Sequence, residues 1–362
     1  MMRAPSAALT PLADALALLL RLAKPVVPRS VPLGRAAGHV AATSLTIAHD
    51  IPAGLTALRD GFAVDAAQVG GASPYAPVLL PRAPVWVEAG ERLPPGTDAV
   101  LPAEGVEHRS AVAEVGPGEG TSAKGEDFSE GDTLLRAGER IAPRHLLGLA
   151  AAGFFEVAIR QARIRLVVTG APDFLSPLLG AVIARAGGLT ETAAVPADPE
   201  QIARAIAAEG ADAVFVLGGT GFGRTDRSAE GLAQAGRVIA HGLALRPGQT
   251  AGIGEAGDRP VLLLPGGPDS ALAVLLALGR PLIAALTGSV EPAPRTGPTA
   301  RKITSTVGLA EIVFVRVQGS EVEPLGGADL ALRRLIEADG IVLVPPEREG
   351  YPAGSVVEVV PL

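Results

Sequence analysis

The chain of 362 residues is too long for one ordinary domain, so two to four domains are expected. Hydrophobic residues make up 48% of it but aromatic residues only 3%, so the cores must be built from aliphatic side chains. The formal net charge of −7 argues against a broad nucleic-acid-binding surface. The sequence contains no cysteine, which excludes disulfides, thiolate metal sites and cysteine nucleophiles.

An apolar stretch near the start, ADALALLLRLA, raises the question of a membrane span or a signal peptide. Asp14 and Arg21 interrupt it, and no unbroken run approaches the ~20 residues that a span requires. Arg3 precedes the stretch as in a signal peptide, but Asp14 lies where the apolar region of that peptide would be. Thr10 and Pro11 are typical of a helix cap and first turn, which favours an amphipathic helix. We therefore predict a cytoplasmic protein without a membrane partner.

The first half of the chain reads as strands and turns. From about residue 40 to 140, short apolar runs are cut by Pro and Gly, which is typical of β-rich structure. The stretch APRHLLGLAAAGFF predicts one helix that ends at Gly153. We predict a β-rich domain over 41–134, and a helical linking domain composed of 1–40 and 135–160.

The pattern changes after residue 160. Continuous apolar strands, such as IRLVVTG, ADAVFVLGG and RPVLLLPGG, alternate with helical stretches. Strands that are apolar throughout indicate a parallel sheet covered by helices on both faces. We predict a three-layer α/β domain over 161–290, a linker at 291–299, and a small C-terminal β-barrel over 300–362. The fold class is thus α/β plus β-rich.

Three strand ends of this α/β domain carry glycine-rich loops. Ligands bind at the carboxyl ends of parallel strands, and a glycine loop before a helix offers free N–H groups to an anion. Each loop alone is compatible with an ordinary tight turn, but three in one sheet favour a shared anion-binding cleft. The candidate binding residues are Thr169 and Gly170 after the first strand, Gly218, Gly219, Thr220 and Gly221 after the second, and Pro265, Gly266, Pro268 and Ser270 after the third.

The same glycines do not fit a dinucleotide-binding loop. The spacing G-x-G-x-x-G is absent, because Arg224 stands where the third glycine is required. No acidic residue lies near position 240 to bind a ribose, and no GK[ST] triplet forms a Walker loop.

Charged side chains close to these loops extend the candidate site. Arg246, followed by Pro247, Gly248 and Gln249, has a guanidinium that suits a phosphate, although a surface arginine beside a turn is the alternative. Asp226 follows the second glycine loop, where it suits Mg²⁺ or, alternatively, caps the next helix.

The β-rich domain contributes two further carboxylates in turns beside glycines. Asp60 precedes Gly61, and Asp127 follows Gly125. Asp–Gly pairs are ordinary turn residues, so these positions alone do not indicate a function.

Taken together, these stretches resemble one family, the molybdopterin molybdenumtransferases of the MoeA and gephyrin E-domain type, and the chain is similar to a divergent member. The resemblance spans the chain from about residue 10 and preserves the order of the motifs. The matching stretches are RDGFAV, LPPGTDAVLPAEGVE, KGEDFSEGD, LGGTGFGRTD, HGLALRPGQT, LPGGPDSA and a final barrel-like segment, EADGIVLVPPEREGYPAGSVVEV.

The resemblance implies a fold, a reaction and an assembly. It implies an elongated multidomain subunit, and a homodimer whose cleft combines the α/β domain of one chain with the β-rich domain of the other. The implied reaction inserts molybdate into adenylylated molybdopterin with Mg²⁺ and releases AMP. By the same resemblance, Asp60, Asp127 and Asp226 take catalytic and metal-binding roles, and the glycine loops bind the pterin phosphate.

Several positions depart from the family pattern. Gln249 stands in place of a lysine, Gly221 in place of the loop serine, and Gly267 in place of an asparagine. The stretch TGAPDF stands where T-G-[DN]-E-L is usual, so Asp173 matches only with a shift. A paralogue with weakened catalysis, which binds molybdopterin or the finished cofactor as a carrier or sensor, is the alternative. A third reading is another nucleotide-dependent transferase on the same sheet.

Overall fold

A computed structural model describes residues 8–170, 173–291 and 293–362. Arg3, Ala171 and Pro172 of the stretches discussed above, and Pro292 of the linker, lie outside the described residues. The described chain is a multidomain fold of α/β and β-rich parts, which confirms the predicted class.

A six-stranded sheet forms the centre of the α/β domain. Four strands run parallel, three of them with the continuous hydrophobic runs that predict this arrangement, and two antiparallel strands complete one edge. In spatial order the strands are Gly188–Val195, Ala162–Thr169, Ala213–Leu217, Arg259–Leu264, Gly252–Ala256 and Arg237–His241.

Helices cover both faces of this sheet and give the predicted three layers. Alternate strand residues point to opposite faces, so Phe215 packs with one helical layer and Val214 and Val216 with the other. One face carries the helices Leu12–Leu22, Ser176–Arg185 and a helical segment from Pro268 to Thr287, and the other face carries Pro199–Ala207 and Ser228–Ala235.

The helical segment Pro268–Thr287 has 20 residues and is long and apolar enough to cross a membrane by length and composition alone. It comprises Pro268–Val274, a π-helical stretch Leu275–Gly279, and Arg280–Thr287. However, 67% of its most apolar window is buried within the protein. Its apolar side chains pack with Phe215 and the neighbouring strands in the largest core. This segment is therefore packed as the core helix of the α/β domain.

The linking region combines segments from both sides of the β-rich domain. The strand Glu156–Arg160 pairs with two others, and a small core around Ile141 and Leu149 holds them together. The predicted helix is present but ends at Ala151, and Gly153 follows with a φ of +78°. The elements are the strands Arg29–Pro32, Val40–Ala41 and Glu156–Arg160, the 3-10 turn Leu33–Arg35 and the helix Pro143–Ala151.

The β-rich region consists of short strands in several small sheets, with two separate apolar cores. The Pro and Gly spacing limits each strand to two to four residues. The strands are Leu45–Thr46, Thr56–Ala57, Gly61–Val64, Val78–Leu79, Val85–Val87, Ala99–Leu101, Val106–Glu107, Ser110–Ala111, Thr121–Ser122 and Thr133–Leu135; Ala66–Gln68 and Ala103–Gly105 are 3-10 turns.

The C-terminal strands close into a small barrel. The chain of paired strands returns to its start through a parallel bridge between Thr299 and Val322, and Ala300 donates to the carbonyl of Val322. Alternating valines such as Val313 and Val315 fill the interior. The elements are the strands Arg295–Pro298, Ile303–Thr304, Ala310–Gln318, Glu321–Gly326, Gly340–Val344, Gly350–Tyr351 and Val356–Pro361, and the short helix Leu332–Leu335.

The barrel shares both a sheet and a core with the α/β domain. The strand Leu243–Arg246 pairs in parallel with Ala310–Gln318 and, on its other side, with Thr10–Pro11. Ile312 and Phe314 point away from the barrel interior and join the core of the α/β domain. The Arg246 loop is thereby fixed at the junction of the two domains.

Candidate active site at the carboxyl edge of the α/β sheet

The three predicted glycine loops lie side by side. They follow three neighbouring parallel strands, Ala162–Thr169, Ala213–Leu217 and Arg259–Leu264, so they leave the sheet at the same edge. Hydrogen bonds tie each loop to the next. Thr169 Oγ1 donates to the carbonyl of Leu217 at 3.0 Å, and the Gly218 N–H donates to the carbonyl of Leu264 at 2.9 Å. The structure therefore brings the three loops together in one site.

Glycine is required at Gly218 and Gly219 by both conformation and space. Their φ angles are +87° and +61°, a region that residues with a Cβ rarely adopt. A Cβ at Gly218 would lie 3.0 Å from the carbonyl oxygen of Thr169, and one at Gly219 would lie 3.0 Å from Ser228 Oγ. The glycines thus permit the close approach of adjacent loops.

The backbone N–H groups of the site indicate that it binds an anion. Within the described residues, the loop amides that donate to no protein acceptor include those of Gly219, Thr220, Gly221, Gly266 and Gly267. The helices Ser228–Ala235 and Pro268–Val274 also begin at this edge, which adds the partial positive charge of their N-termini. Unpaired amides beside helix N-termini form a site suited to a phosphate or an oxyanion.

Thr220 is held in the second loop by burial and by contacts of both its side chain and its carbonyl. Its side chain is 2% exposed, and its Oγ1 lies 3.2 Å from Thr250 Oγ1. Its carbonyl lies 2.8 Å from Nε2 of His241, and the imidazole of His241 packs against the exposed ring of Phe222. The loop that carries Arg246 therefore contacts the glycine loop through Thr250.

Sequence reasoning missed several residues that hold these loops. Ser228 is fully buried and donates its Oγ hydrogen to the carbonyl of Gly218 at 2.6 Å. Thr250 and His241 fix Thr220, as described above. A signal existed for Ser228, because a serine at the start of a helix after a glycine loop is typical of a residue that bonds the turn.

Asp226 folds back over its own loop. Its Oδ2 accepts a hydrogen bond from the Gly223 N–H at 2.8 Å, and a Cβ at Gly221 would lie 2.6 Å from the same oxygen. Arg227 is the cap residue of the next helix and makes no side-chain cap bond, so Asp226 does not cap it. The carboxylate occupies space that a serine at position 221 would require.

The loop at 246–249 contains both buried and exposed residues. Pro247 and Gly248 are buried, and a Cβ at Gly248 would lie 2.7 Å from Val274 Cγ2. Arg246 Nε lies 4.0 Å from Oε1 of Glu311, whose side chain is only 10% exposed. Gln249 is exposed. Arg246 is therefore partly neutralised by a buried carboxylate that sequence reasoning did not associate with it.

The third loop ends in a buried carboxylate. Pro265 is buried, Gly266 is exposed and Pro268 opens the helix. Asp269 is 7% exposed and its Oδ1 accepts hydrogen bonds from the N–H of Ser270 at 2.7 Å and from its Oγ at 3.2 Å. The hydroxyl of Ser270 is thus held within its own helix turn.

The first loop passes through residues outside the described range, and Asp173 follows them. Its carboxylate accepts hydrogen bonds from the N–H groups of Leu175 and Ser176 and from the Ser176 hydroxyl. Desolvation is the largest single influence and raises the pKa of Asp173, but the three hydrogen bonds together outweigh it and lower the pKa below its usual value. The Asp173 carboxylate therefore caps the start of the helix Ser176–Arg185 by accepting from its first N–H groups.

Asp60 and Asp127 lie in exposed turns of the β-rich region. Asp60 Oδ1 accepts from the Ala89 N–H at 2.8 Å, and the Asp127 N–H donates to the carbonyl of Ile51 at 3.0 Å. No hydrogen bond joins either residue to the glycine loops in the part of the chain that the structure describes. Among those residues, no group of three or more acidic or histidine side chains could hold a metal ion. Their roles remain predictions.

Three family models match consecutive parts of the chain, and they define a protein class with a molybdopterin-binding α/β domain. The model of the MoeA N-terminal region (domain I and II) matches residues 10–153, and that of the "Probable molybdopterin binding domain" matches 165–285. The model of the MoeA C-terminal region (domain IV) matches residues 296–362.

Individual relatives agree with these models over nearly the full length. A molybdopterin biosynthesis protein of Methanocaldococcus jannaschii is 30% identical over an alignment that covers 91% of this chain and 91% of the relative. Molybdopterin molybdenumtransferase 2 of Mycobacterium tuberculosis is 27% identical over 94% of this chain and 96% of the relative. The crystal structure of a molybdopterin biosynthesis MoeA protein from Pyrococcus horikoshii superimposes with a TM-score of 0.77 at 26% identity, covering 98% of this chain and 99% of that one. This chain belongs to the MoeA family, as the motif order predicts.

Proposed function

We propose that this protein inserts molybdate into adenylylated molybdopterin, with release of AMP, as a step of molybdenum cofactor biosynthesis. Its curated relatives carry the name molybdopterin molybdenumtransferase. The observation that carries the proposal is the set of unpaired amides of Gly219, Thr220, Gly221, Gly266 and Gly267 at one edge of the sheet. Such amides bind a phosphate and an oxyanion without a neutralising side chain.

The chain's own groups have defined tasks in this reaction. The amides of the second and third loops hold anionic groups of the substrates at fixed positions, which removes the entropic cost of bringing two reactants together. Ser228, Thr250 and His241 keep the second loop in shape, so the donors need no rearrangement when charge develops. Arg246 adds positive charge at the rim, reduced by its pairing with Glu311.

The proposed Mg²⁺ does not fit the residues of a single described chain. Asp226 is bonded to its own loop, and Asp60 and Asp127 lie in a different domain. We therefore assign no step of the reaction to the ion. Mg²⁺ binding stays a proposal for the assembled protein, tested by whether AMP release requires added Mg²⁺ after treatment with a chelator.

A homodimer is proposed for the same reason. We propose that the three aspartates serve one cleft to which Asp60 and Asp127 come from a second copy of the chain, in the manner that the family resemblance implies. Sedimentation velocity tests the assembly, and a monomer at working concentrations would contradict it. A cytoplasmic location belongs to the same proposal.

The decisive experiment measures AMP release from adenylylated molybdopterin in the presence of molybdate and Mg²⁺. A related molybdenumtransferase run in parallel is the positive control. If that enzyme releases AMP and this protein does not, the catalytic proposal is rejected.

A substitution at Gln249 tests whether the departures of this chain from the family pattern weaken catalysis. It is exposed at the rim of the site, so a lysine can replace it without repacking. We expect Gln249→Lys to increase AMP release, because it restores a positive charge where anions bind. Retained pterin binding without turnover in both the wild-type protein and Gln249→Lys would instead favour a carrier.

A further inference from the structure

A second cleft opens on the side of the α/β domain opposite the glycine loops. Its volume is about 910 Å³. The last turn of the helix Ser176–Arg185 contributes to it, and this helix ends just before the strand Gly188–Val195 begins. The end of a crossover helix lies at the amino edge of a parallel sheet, whereas the glycine loops lie at the carboxyl edge. We call this site the arginine cleft, and its charged residues are Arg136, Arg140, Arg185, Arg280, Glu139 and Glu291.

The arginine cleft carries more positive than negative side chains, although the whole chain has a net charge of −7. Arg280 pairs with Glu291 and also donates to the carbonyl of Pro361 at 3.2 Å. Arg140 donates to the carbonyl of Gly38 at 2.8 Å. The side chains of Arg136 and Arg185 make no hydrogen bond or ion pair with any residue that the structure describes. These two guanidinium groups remain available to a ligand.

Burial and neighbouring arginines both disfavour the positive charge of Arg140 in this cleft. Partial burial lowers the pKa of Arg140; Glu291 opposes this effect, and the charges of Arg280 and Arg185 add to it. A bound anion would offset the repulsion among the like charges. The packing of the domains holds the arginines together, since Gly138 and Val290 are joined by a hydrogen bond of 2.9 Å at the rim.

The walls of the cleft are apolar. Val182 and Leu276 come from two helices of the α/β domain, Val290 from the segment after them, and Leu362 from the barrel. A volume of this size is in the range of small-molecule sites, of about 300–1,000 Å³, and most such sites combine apolar walls with a few charged groups.

We propose that the arginine cleft binds an organic phosphate, whose anionic group pairs with Arg136 and Arg185 and whose apolar body lies against Leu276 and Val290. Arginine suits a phosphate because its planar guanidinium donates two parallel hydrogen bonds. The site is separate from the proposed reaction, since it lies at the other edge of the sheet, and it does not depend on the glycine loops.

The test is isothermal titration calorimetry of the full chain with 1-naphthyl phosphate as the probe. We expect one molecule bound per chain, with weaker binding of inorganic phosphate and of 1-naphthol, because each lacks one half of the recognised structure. The double variant Arg136→Glu/Arg185→Glu should bind the probe at least about tenfold more weakly, since a tenfold change corresponds to the loss of one modest charged contact.

The matched control reverses two exposed arginines outside the cleft, Arg163→Glu/Arg333→Glu, which changes the net charge by the same amount. We expect the control to bind as the wild-type protein does. Equal affinity in the wild-type protein and Arg136→Glu/Arg185→Glu would overturn the proposal, as would binding that is lost only in a glycine-loop variant.

Two further measurements keep the test decisive. If the double reversal impairs folding in a thermal melt, Arg136→Gln/Arg185→Gln replaces it, with the same weaker binding expected. Sedimentation velocity distinguishes another occupant: if the probe fails to bind and charge reversal changes the oligomeric state, an acidic segment of a second chain fills the cleft and the proposal is wrong.

Discussion

Candidate site residues lie both at the carboxyl edge of the α/β sheet and in turns of the β-rich region. The two regions differ in how the fold brings these residues together. At the sheet edge, parallel neighbouring strands deliver three loops to one place, and hydrogen bonds such as Gly218 N–H to Leu264 carbonyl connect them. Asp60 and Asp127 lie in isolated exposed turns. The three glycine loops thus meet within one chain, whereas the proposed role of the two aspartates depends on a second copy of the chain.

The largest effect on stability and on AMP release is expected from a substitution at the sheet edge. Gly218→Ala places a Cβ 3.0 Å from the carbonyl of Thr169 at a φ of +87°. We expect a loss of about 2–4 kcal/mol in unfolding free energy, because backbone strain and overpacking add. AMP release should fall about a hundredfold, because a shifted loop misplaces the neighbouring free amide of Gly219, with an effect like the loss of one oxyanion donor.

The matched control for that variant lies in the β-rich region. Gly96 has a φ of +83°, but a Cβ there would meet nothing within 4 Å. Gly96→Ala should cost only about 1 kcal/mol, from strain alone, with unchanged AMP release. Chemical denaturation measures both, and equal costs for the two variants would contradict the close approach of the loops.

The second prediction concerns the shared cleft. If Asp60 of one chain serves the cleft that holds Asp226 of the other, Asp60→Asn and Asp226→Asn should each reduce AMP release by about tenfold or more. Mixed after unfolding and refolding together, the two variants should recover about a quarter of wild-type activity, since half of the dimers are mixed and each has one intact cleft. No recovery in the mixture would place both residues in the same chain's cleft or outside it.

The third prediction concerns the space beside Asp226. Gly221→Ser puts a Cβ 2.6 Å from Asp226 Oδ2, and this flexible side chain can rotate away. We expect the carboxylate to leave Gly223 and AMP release to rise by a few fold, for a cost of about 1 kcal/mol from the lost hydrogen bond. In an Asp226→Asn background the same serine should give no gain, which a double-mutant cycle measures.

The smallest effect concerns the cap at Asp173. Asp173→Asn should cost about 0.5–1 kcal/mol, because the amide retains one acceptor oxygen. The folded pKa of Asp173 is lowered, so its contribution is fully present above the unfolded pKa and is lost as pH falls through the folded value. Stability curves of the wild-type protein and the variant should therefore converge below about pH 4. Curves that stay apart at low pH would contradict the cap.

The α/β core could be predicted from the sequence because its signals are local and continuous. The strand Ala213–Leu217 is apolar at every position and is buried at every position. The proximity of the three glycine loops could be predicted as well, because the carboxyl ends of adjacent parallel strands lie at the same edge of the sheet.

The features that could not be predicted from the sequence depend on contacts between residues that lie far apart along the chain. The Arg246–Glu311 contact joins residues that lie on different domains and become neighbours only because their strands pair in parallel. No periodicity in either segment signals that pairing. The short helix Leu332–Leu335 is another example: the stretch ADLALRRLIEA suggests a longer helix, but the chain forms only four helical residues there.

The sheet that joins Thr10–Pro11, Leu243–Arg246 and Ala310–Gln318 has a kinetic consequence. Strands separated by such long intervals along the chain must close large loops before any pairing energy is gained. The strand Thr10–Pro11 can pair only after Leu243–Arg246 has come close to it. We therefore expect the closure of these large loops to limit the rate of refolding. A nascent chain leaving the ribosome would leave its first strand unpaired until most of its length had emerged.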